Sequence, residues 1–191
     1  MNMFIQTETT PNPQTLKFLP GKAVMTQGAT AFFTRKEEAA EKSELAGSMF
    51  EVDGINAIFF GNDFISVTKS ETVEWDALKA QILSRIMDHF VAGKPVMKGE
   101  EVANKGGSDE ADSEIAKTIK ELIETRVRPA VAQDGGDIVF KGFEEDSGTV
   151  KLELHGSCSG CPSSTITLKD GIENMLKHYV PEVQTVEAVA E

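Results

Sequence analysis

From Val150 the chain alternates apolar and polar side chains, Val150-Lys151-Leu152-Glu153-Leu154-His155, the period of a half-buried strand. After a polar, glycine-flanked break the period changes. Leu168, Ile172, Met175, Leu176 and Tyr179 recur at helical spacing and predict an amphipathic helix. The break is Gly156-Ser157-Cys158-Ser159-Gly160-Cys161-Pro162-Ser163-Ser164, and it holds the 2 cysteines of the chain. Pro162 and Ser163 suit the first positions of a helix, so the thiols are expected in a strand-to-helix turn. Free N–H groups and the positive end of the helix dipole favour anions there, and both thiols are expected to ionise more readily than free cysteine.

The same reading along the chain gives two α+β units. Residues 3–9 and 15–19 read as short strands around Thr10-Pro11-Asn12-Pro13-Gln14, where two prolines exclude helix and central strand. Residues 22–42 carry no clear period, and 36–42 are charged and expected to be exposed. A helix is predicted over 43–50. Two strands, 56–60 and 64–68, flank Gly61-Asn62-Asp63 as a hairpin. Thr72 is placed to cap a helix on which Trp75, Leu78, Ile82, Ile86 and Phe90 form one stripe, with Trp75 and Phe90 expected in its core, ending at Gly93-Lys94-Pro95.

Residues 98–112 offer almost nothing to bury and read as a flexible linker. Beyond it, Ile115, Ile119, Leu122 and Ile123 predict a helix from 113 that ends near Arg128-Pro129. Strands over 138–143 and 150–155, the cysteine turn, the helix to 179 and a strand over 183–189 follow. The expected fold class is therefore α+β, two small domains over 1–97 and 113–191 joined by a linker, the second in the order α-β-β-α-β.

Charge narrows the partners. The net charge is −12 over 191 residues, and residues 1–97, 98–112 and 113–191 carry −3, −3 and −6. No segment hides a basic patch, which argues against nucleic acid and anionic membranes as partners. No run approaches the ~20 apolar residues of a membrane span. Two cysteines do not make a secreted disulfide framework. The first residues have neither a signal peptide's basic start nor an Arg-rich transit helix. A reducing, cytosol-like compartment is expected.

Four readings of Cys158 and Cys161 stand beside one another. They are incidental buried thiols; a redox dithiol, since C-x-x-C at a helix start is the thioredoxin arrangement; a zinc site, which wants four ligands; or an iron–sulfur site, which also normally wants four thiolates. For either metal site, half of the ligands must come from elsewhere, most simply from the same turn of a second copy on a two-fold axis. A centre at such an interface is exposed and readily released, which suits a carrier better than an electron-transfer protein.

The surroundings sharpen the choice. Arg128-Pro129-Ala130-Val131-Ala132-Gln133-Asp134-Gly135-Gly136-Asp137, with Cys158-Ser159-Gly160-Cys161-Pro162-Ser163-Ser164 and Gly171-Ile172-Glu173, resembles the C-terminal domain of the NifU-like (Nfu) iron–sulfur scaffold proteins. Thr10-Pro11-Asn12-Pro13, Thr15-Leu16-Lys17-Phe18 and Phe59-Phe60-Gly61 resemble the Nfu N-terminal domain. The resemblance covers nearly the whole chain apart from the linker. It implies a carrier rather than an enzyme, with Cys158 and Cys161 as ligands of a [4Fe-4S] cluster held between two subunits. It further implies upstream assembly factors as the source and apo-proteins as recipients. The rival function is a dithiol oxidoreductase. The setting implied is a bacterial cytoplasm, or the mitochondrial matrix for a mature eukaryotic form. Asp134-Gly135-Gly136-Asp137 is expected as a tight turn with positive-φ glycines. His155 is expected as a solvated histidine on the polar face of its strand, and His89 and His178 have no sequence partner.

Overall fold

A computed structural model of the chain describes residues 4–26, 29–99, 113–159 and 162–189, with backbone alone at 162–164. The chain divides into two compact units, Met1–Ala103 and Asn104–Glu191. Among the described residues no helix is long and apolar enough to cross a membrane.

The first unit runs β1 (Gln6–Thr9), β2 (Thr15–Leu19), β3 (Ala31–Phe33), α1 (Lys36–Lys42), α2 (Glu44–Met49), β4 (Ile55–Phe60), β5 (Ile65–Lys69) and α3 (Trp75–Val91). The strands pair antiparallel in the order β1-β2-β5-β4-β3. Register explains the core. Leu16 lies across from Val67 and Val67 from Ile58, while Phe18 lies across from Ile65 and Ile65 from Phe60. These side chains share one face and pack with Leu45, Met49, Leu78, Ile82 and Ile86, each contributing about 2 kcal/mol by leaving water. The predicted hairpin is present: the Gly61 N–H donates to the Phe64 carbonyl at 2.9 Å. A Cβ on Gly61 would stand 2.4 Å from the Phe64 ring, which explains the glycine.

Three expectations are corrected in this unit. The stretch without a period contains β3 and α1. Helix α1 lacks an apolar stripe because it buries only Ala39; its charges support it instead, with Lys42 Nζ 2.6 Å from Glu38 Oε1 one turn back. Thr72 does not cap α3. The cap position is Glu74, and the Thr72 hydroxyl pairs with Ser70 at 3.0 Å. Trp75 and Phe90 flank the core, partly buried, rather than fill it. Val96 belongs to this core, and the Lys98 N–H donates to the Lys42 carbonyl at 2.7 Å. The stretch read as a linker thus begins attached to this unit, and from residue 100 to 112 it lies outside the described residues.

The second unit opens with α4 (Glu114–Leu122), capped by the Ser113 hydroxyl accepting from the Ala116 N–H at 3.3 Å. The helix does not stop before proline. It continues through a π-helical stretch, Ile123–Val127, into α5 (Arg128–Gln133). Pro129 has no N–H to donate. The chain accommodates it by widening one turn, so that the Arg128 N–H reaches the Ile123 carbonyl five residues back. Then come β6 (Gly136–Glu144), β7 (Thr149–Gly156), α6 (Pro162–Tyr179) and β8 (Thr185–Val189), the expected α-β-β-α-β order. In the sheet β6-β7-β8, β7 is central, antiparallel to β6 and parallel to β8. The parallel pair needs a crossover, and α6 supplies it. Ile119, Ile123, Val131, Ile138, Phe140, Val150, Leu152, Leu176 and Val186 form the core. Of the predicted α6 stripe, Ile172 and Leu176 are buried, whereas Tyr179 is 48% exposed with the Arg126 guanidinium over its ring.

Candidate metal centre

The strand β7 ends at Gly156, whose φ of +66° turns the chain out of the sheet, a conformation that favours glycine. The cysteine loop follows directly. Helix α6 starts at Pro162 as expected. Cys161 and Gly160 lie outside the described residues, so the geometry of the pair is carried by Cys158.

Cys158 is wedged between two elements. On one side, the Thr165 hydroxyl of α6 donates to the Cys158 carbonyl at 3.1 Å. On the other lies the turn from α5 into β6. Gly135, at φ +82°, reverses the chain, and its carbonyl accepts from the Ser157 N–H at 3.2 Å. The Ser157 hydroxyl donates to the Asp134 carbonyl at 2.5 Å. Gly136 then passes so close that a Cβ on it would stand 2.7 Å from Cys158 Sγ and 2.7 Å from the His155 carbonyl. Gly136 works by lacking a side chain; only Gly135 of the two has positive φ.

This placement reverses one expectation. Cys158 precedes α6 by four positions and is only 7% exposed. Burial pushes its thiol up to about 11, and the charges of Asp134 and Asp137 add to that, against a lowering contact with Ser157. The helix dipole falls off within its first turn and does not offset the loss of water. A thiol so held is a poor free nucleophile, but a soft metal that displaces the proton finds a ligand already fixed in place. Among the described residues no three His, Cys, Asp or Glu side chains gather around a metal position.

The turn has its own anchor. Arg128, at the start of α5, forks onto Asp137, Nε to Oδ1 at 2.8 Å and Nη2 to Oδ2 at 2.8 Å, while Nη1 donates to Glu124 Oε2 at 2.7 Å. Asp137 is 4% exposed and also accepts from the Ile138 N–H. The hydrogen bonds it donates to Asp137 hold Arg128 more firmly protonated than usual. Sequence reading did not single out this pair. Its one local signal was the Glu124–Arg128 spacing of a helical ion pair; the partner across the turn has none.

His155 is not the solvated residue expected. It is buried, with Nε2 3.0 Å from Glu153 Oε1, and Lys141 pairs with the other Glu153 oxygen. Burial pushes Glu153 up, and the hydrogen bonds from Lys141 and His155 outweigh it, leaving the carboxyl below its usual range. The polar face of β7 buries because its charges satisfy one another. His178 is exposed and meets the Tyr179 ring edge-on. His89 turns inward, and burial pushes its imidazole down.

Comparison with known proteins finds one family match in each unit. Residues 5–93 match the family described as "Scaffold protein Nfu/NifU N terminal", and residues 119–187 match the "NifU-like domain". The chain is 51% identical to "NifU-like protein 4, mitochondrial" of Arabidopsis thaliana over 97% of its own length and 65% of that protein. It is 50% identical to "NFU1 iron-sulfur cluster scaffold homolog, mitochondrial" of Homo sapiens over 98% of its own length and 72% of that protein. The chain thus spans about two thirds of the length of these relatives. A solution structure of a NifU-like protein from Saccharomyces cerevisiae aligns with 52% of the chain and 92% of its own at 29% identity and a TM-score of 0.47. On the family matches and these identities, the chain belongs to the Nfu/NifU-like family of iron–sulfur cluster scaffold proteins.

Proposed function

We propose that the chain carries a [4Fe-4S] cluster as cargo, held by Cys158 and Cys161 of two copies, and hands it to apo-proteins. The observation that carries this reading is the Cys158 loop fixed between the 134–137 turn and α6, in a chain whose relatives are named as iron–sulfur scaffolds. A cluster wants four thiolates and the chain has 2 cysteines, so a second copy completes the shell. The cluster arrives from an upstream assembly factor. It leaves by stepwise exchange, each chain thiolate replaced by a recipient's thiolate, without unfolding of either protein. The raised Cys158 thiol supports a ligand over a redox dithiol. Thiols kept reduced for this work fit a reducing compartment; the relatives named mitochondrial support the matrix as that compartment.

Anaerobic reconstitution followed by iron, sulfide and solution-mass measurement tests the reading. The expected content is about four irons per dimer, lost in both Cys158→Ser and Cys161→Ser. A monomer holding the full iron content would overturn the shared shell, and a colourless protein with disulfide reductase activity would overturn the cargo.

A further inference from the structure

The ion pair under the cysteine loop has no part in the function so far. Arg128 is drawn into a double hydrogen bond with a buried carboxylate, and a buried pair of this kind is a weak source of stability by itself. Its geometry is more informative than its energy. Asp137 is the residue next to Gly136, and Gly136 is the one that leaves no room beside Cys158 Sγ. Across the sheet Gly136 pairs with Gly156 and Asp137 with His155, the residues that launch the loop. Ser157 bonds back to Asp134 and Gly135. The fork therefore fixes one end of a four-residue turn that is bonded to the cysteine loop through the Asp134 and Gly135 carbonyls and back to α5 through the Ala130 and Ala132 carbonyls. Its own orientation is set from behind by Glu124, across the π-helical stretch. Such stretches recur at functional sites.

We infer that Arg128 is a positioning residue for the cysteine site, holding the 134–137 turn against the loop so that Cys158 Sγ is kept in one sheltered place. The guanidinium bonds to Asp137 and Glu124 and acts on Cys158 through the turn. Lysine at 128 keeps the charge and loses the fork, which separates position from electrostatics. The inference rests on the cargo reading for only one of its two readouts.

The test uses the full chain with Arg128→Lys and Asp137→Asn. In the metal-free protein, iodoacetamide alkylation of Cys158 is followed by peptide mass mapping at one pH, alongside urea unfolding. Wild type should react slowly. Both variants should react at least about tenfold faster while still folded, the effect of losing one hydrogen bond to a charged group. After reconstitution, the variants should show altered visible circular dichroism and lose iron to a chelator sooner. Wild-type alkylation rates in folded Arg128→Lys would overturn the inference. So would reactivity that rises in both variants only in step with global unfolding, which is the mark of a merely structural pair. Failure of wild type to take up iron would sink the cargo reading and leave the alkylation result standing.

Discussion

Cys158 is a ligand candidate kept in its neutral form by its surroundings. Its thiol, pushed up to about 11 from an ordinary 9.0, stays protonated in the folded metal-free protein where the unfolded chain has begun to ionise. The folded state keeps the full contribution below pH about 9 and loses it as the pH climbs toward 11, on the order of 2 kcal/mol in total. Unfolding free energies of metal-free wild type and Cys158→Ser, compared from pH 8 to about 11, should diverge with that slope. Parallel curves would mean that the thiol is solvated. The sequence showed the cysteines and the helix start but not this burial. The residues that take water from Sγ are Gly136 and its neighbours, 22 positions upstream in the chain.

At the scale of elements, legibility followed packing. Strands β2, β5 and β7 and helix α3 each set one apolar face into a core, so a period of two or of helical spacing was written into their residues, even where the polar face of a strand is buried as well. Strand β3 is three residues long, too short to display a period, and α1 buries one alanine. The π-helical stretch arises from a missing N–H at Pro129 inside a helix that tertiary packing keeps intact, which local rules read as an end. His155 looked solvated because its position is on a polar face; alternation sets Glu153 beside it but does not reveal Lys141 of β6, which pairs with Glu153. The predicted helix over 43–50 held, and its first residue does more than cap. Ser43 is fully buried; its hydroxyl accepts from the Ala46 N–H at 3.1 Å and donates to the Val96 carbonyl at 2.6 Å. Ser43→Ala leaves both groups unpaired and should cost the first unit about 1–3 kcal/mol, read by urea unfolding. Its iron content after reconstitution should match wild type; a parallel loss of iron would show that the two units are coupled.

For the whole molecule, each unit has its own core, and both cysteines are in the second. We propose that residues 113–191 hold the cluster and that the first unit influences which recipient is served. The fragment 113–191 should then fold and bind iron at the full-length ratio, while 1–97 should fold and bind none. Iron uptake that requires both units in one chain would refute the division.

Gly136 has a consequence at the level of the gene. Every amino acid one base away from a glycine codon, from alanine and serine to aspartate, valine and arginine, brings at least a Cβ. That atom would come within 2.7 Å of both a sulfur and a backbone oxygen, and neither is the far end of a flexible side chain. No single-base missense change is therefore sterically silent at this codon, although the residue itself contributes no atom beyond the backbone. The site is guarded by an absence that mutation can only fill.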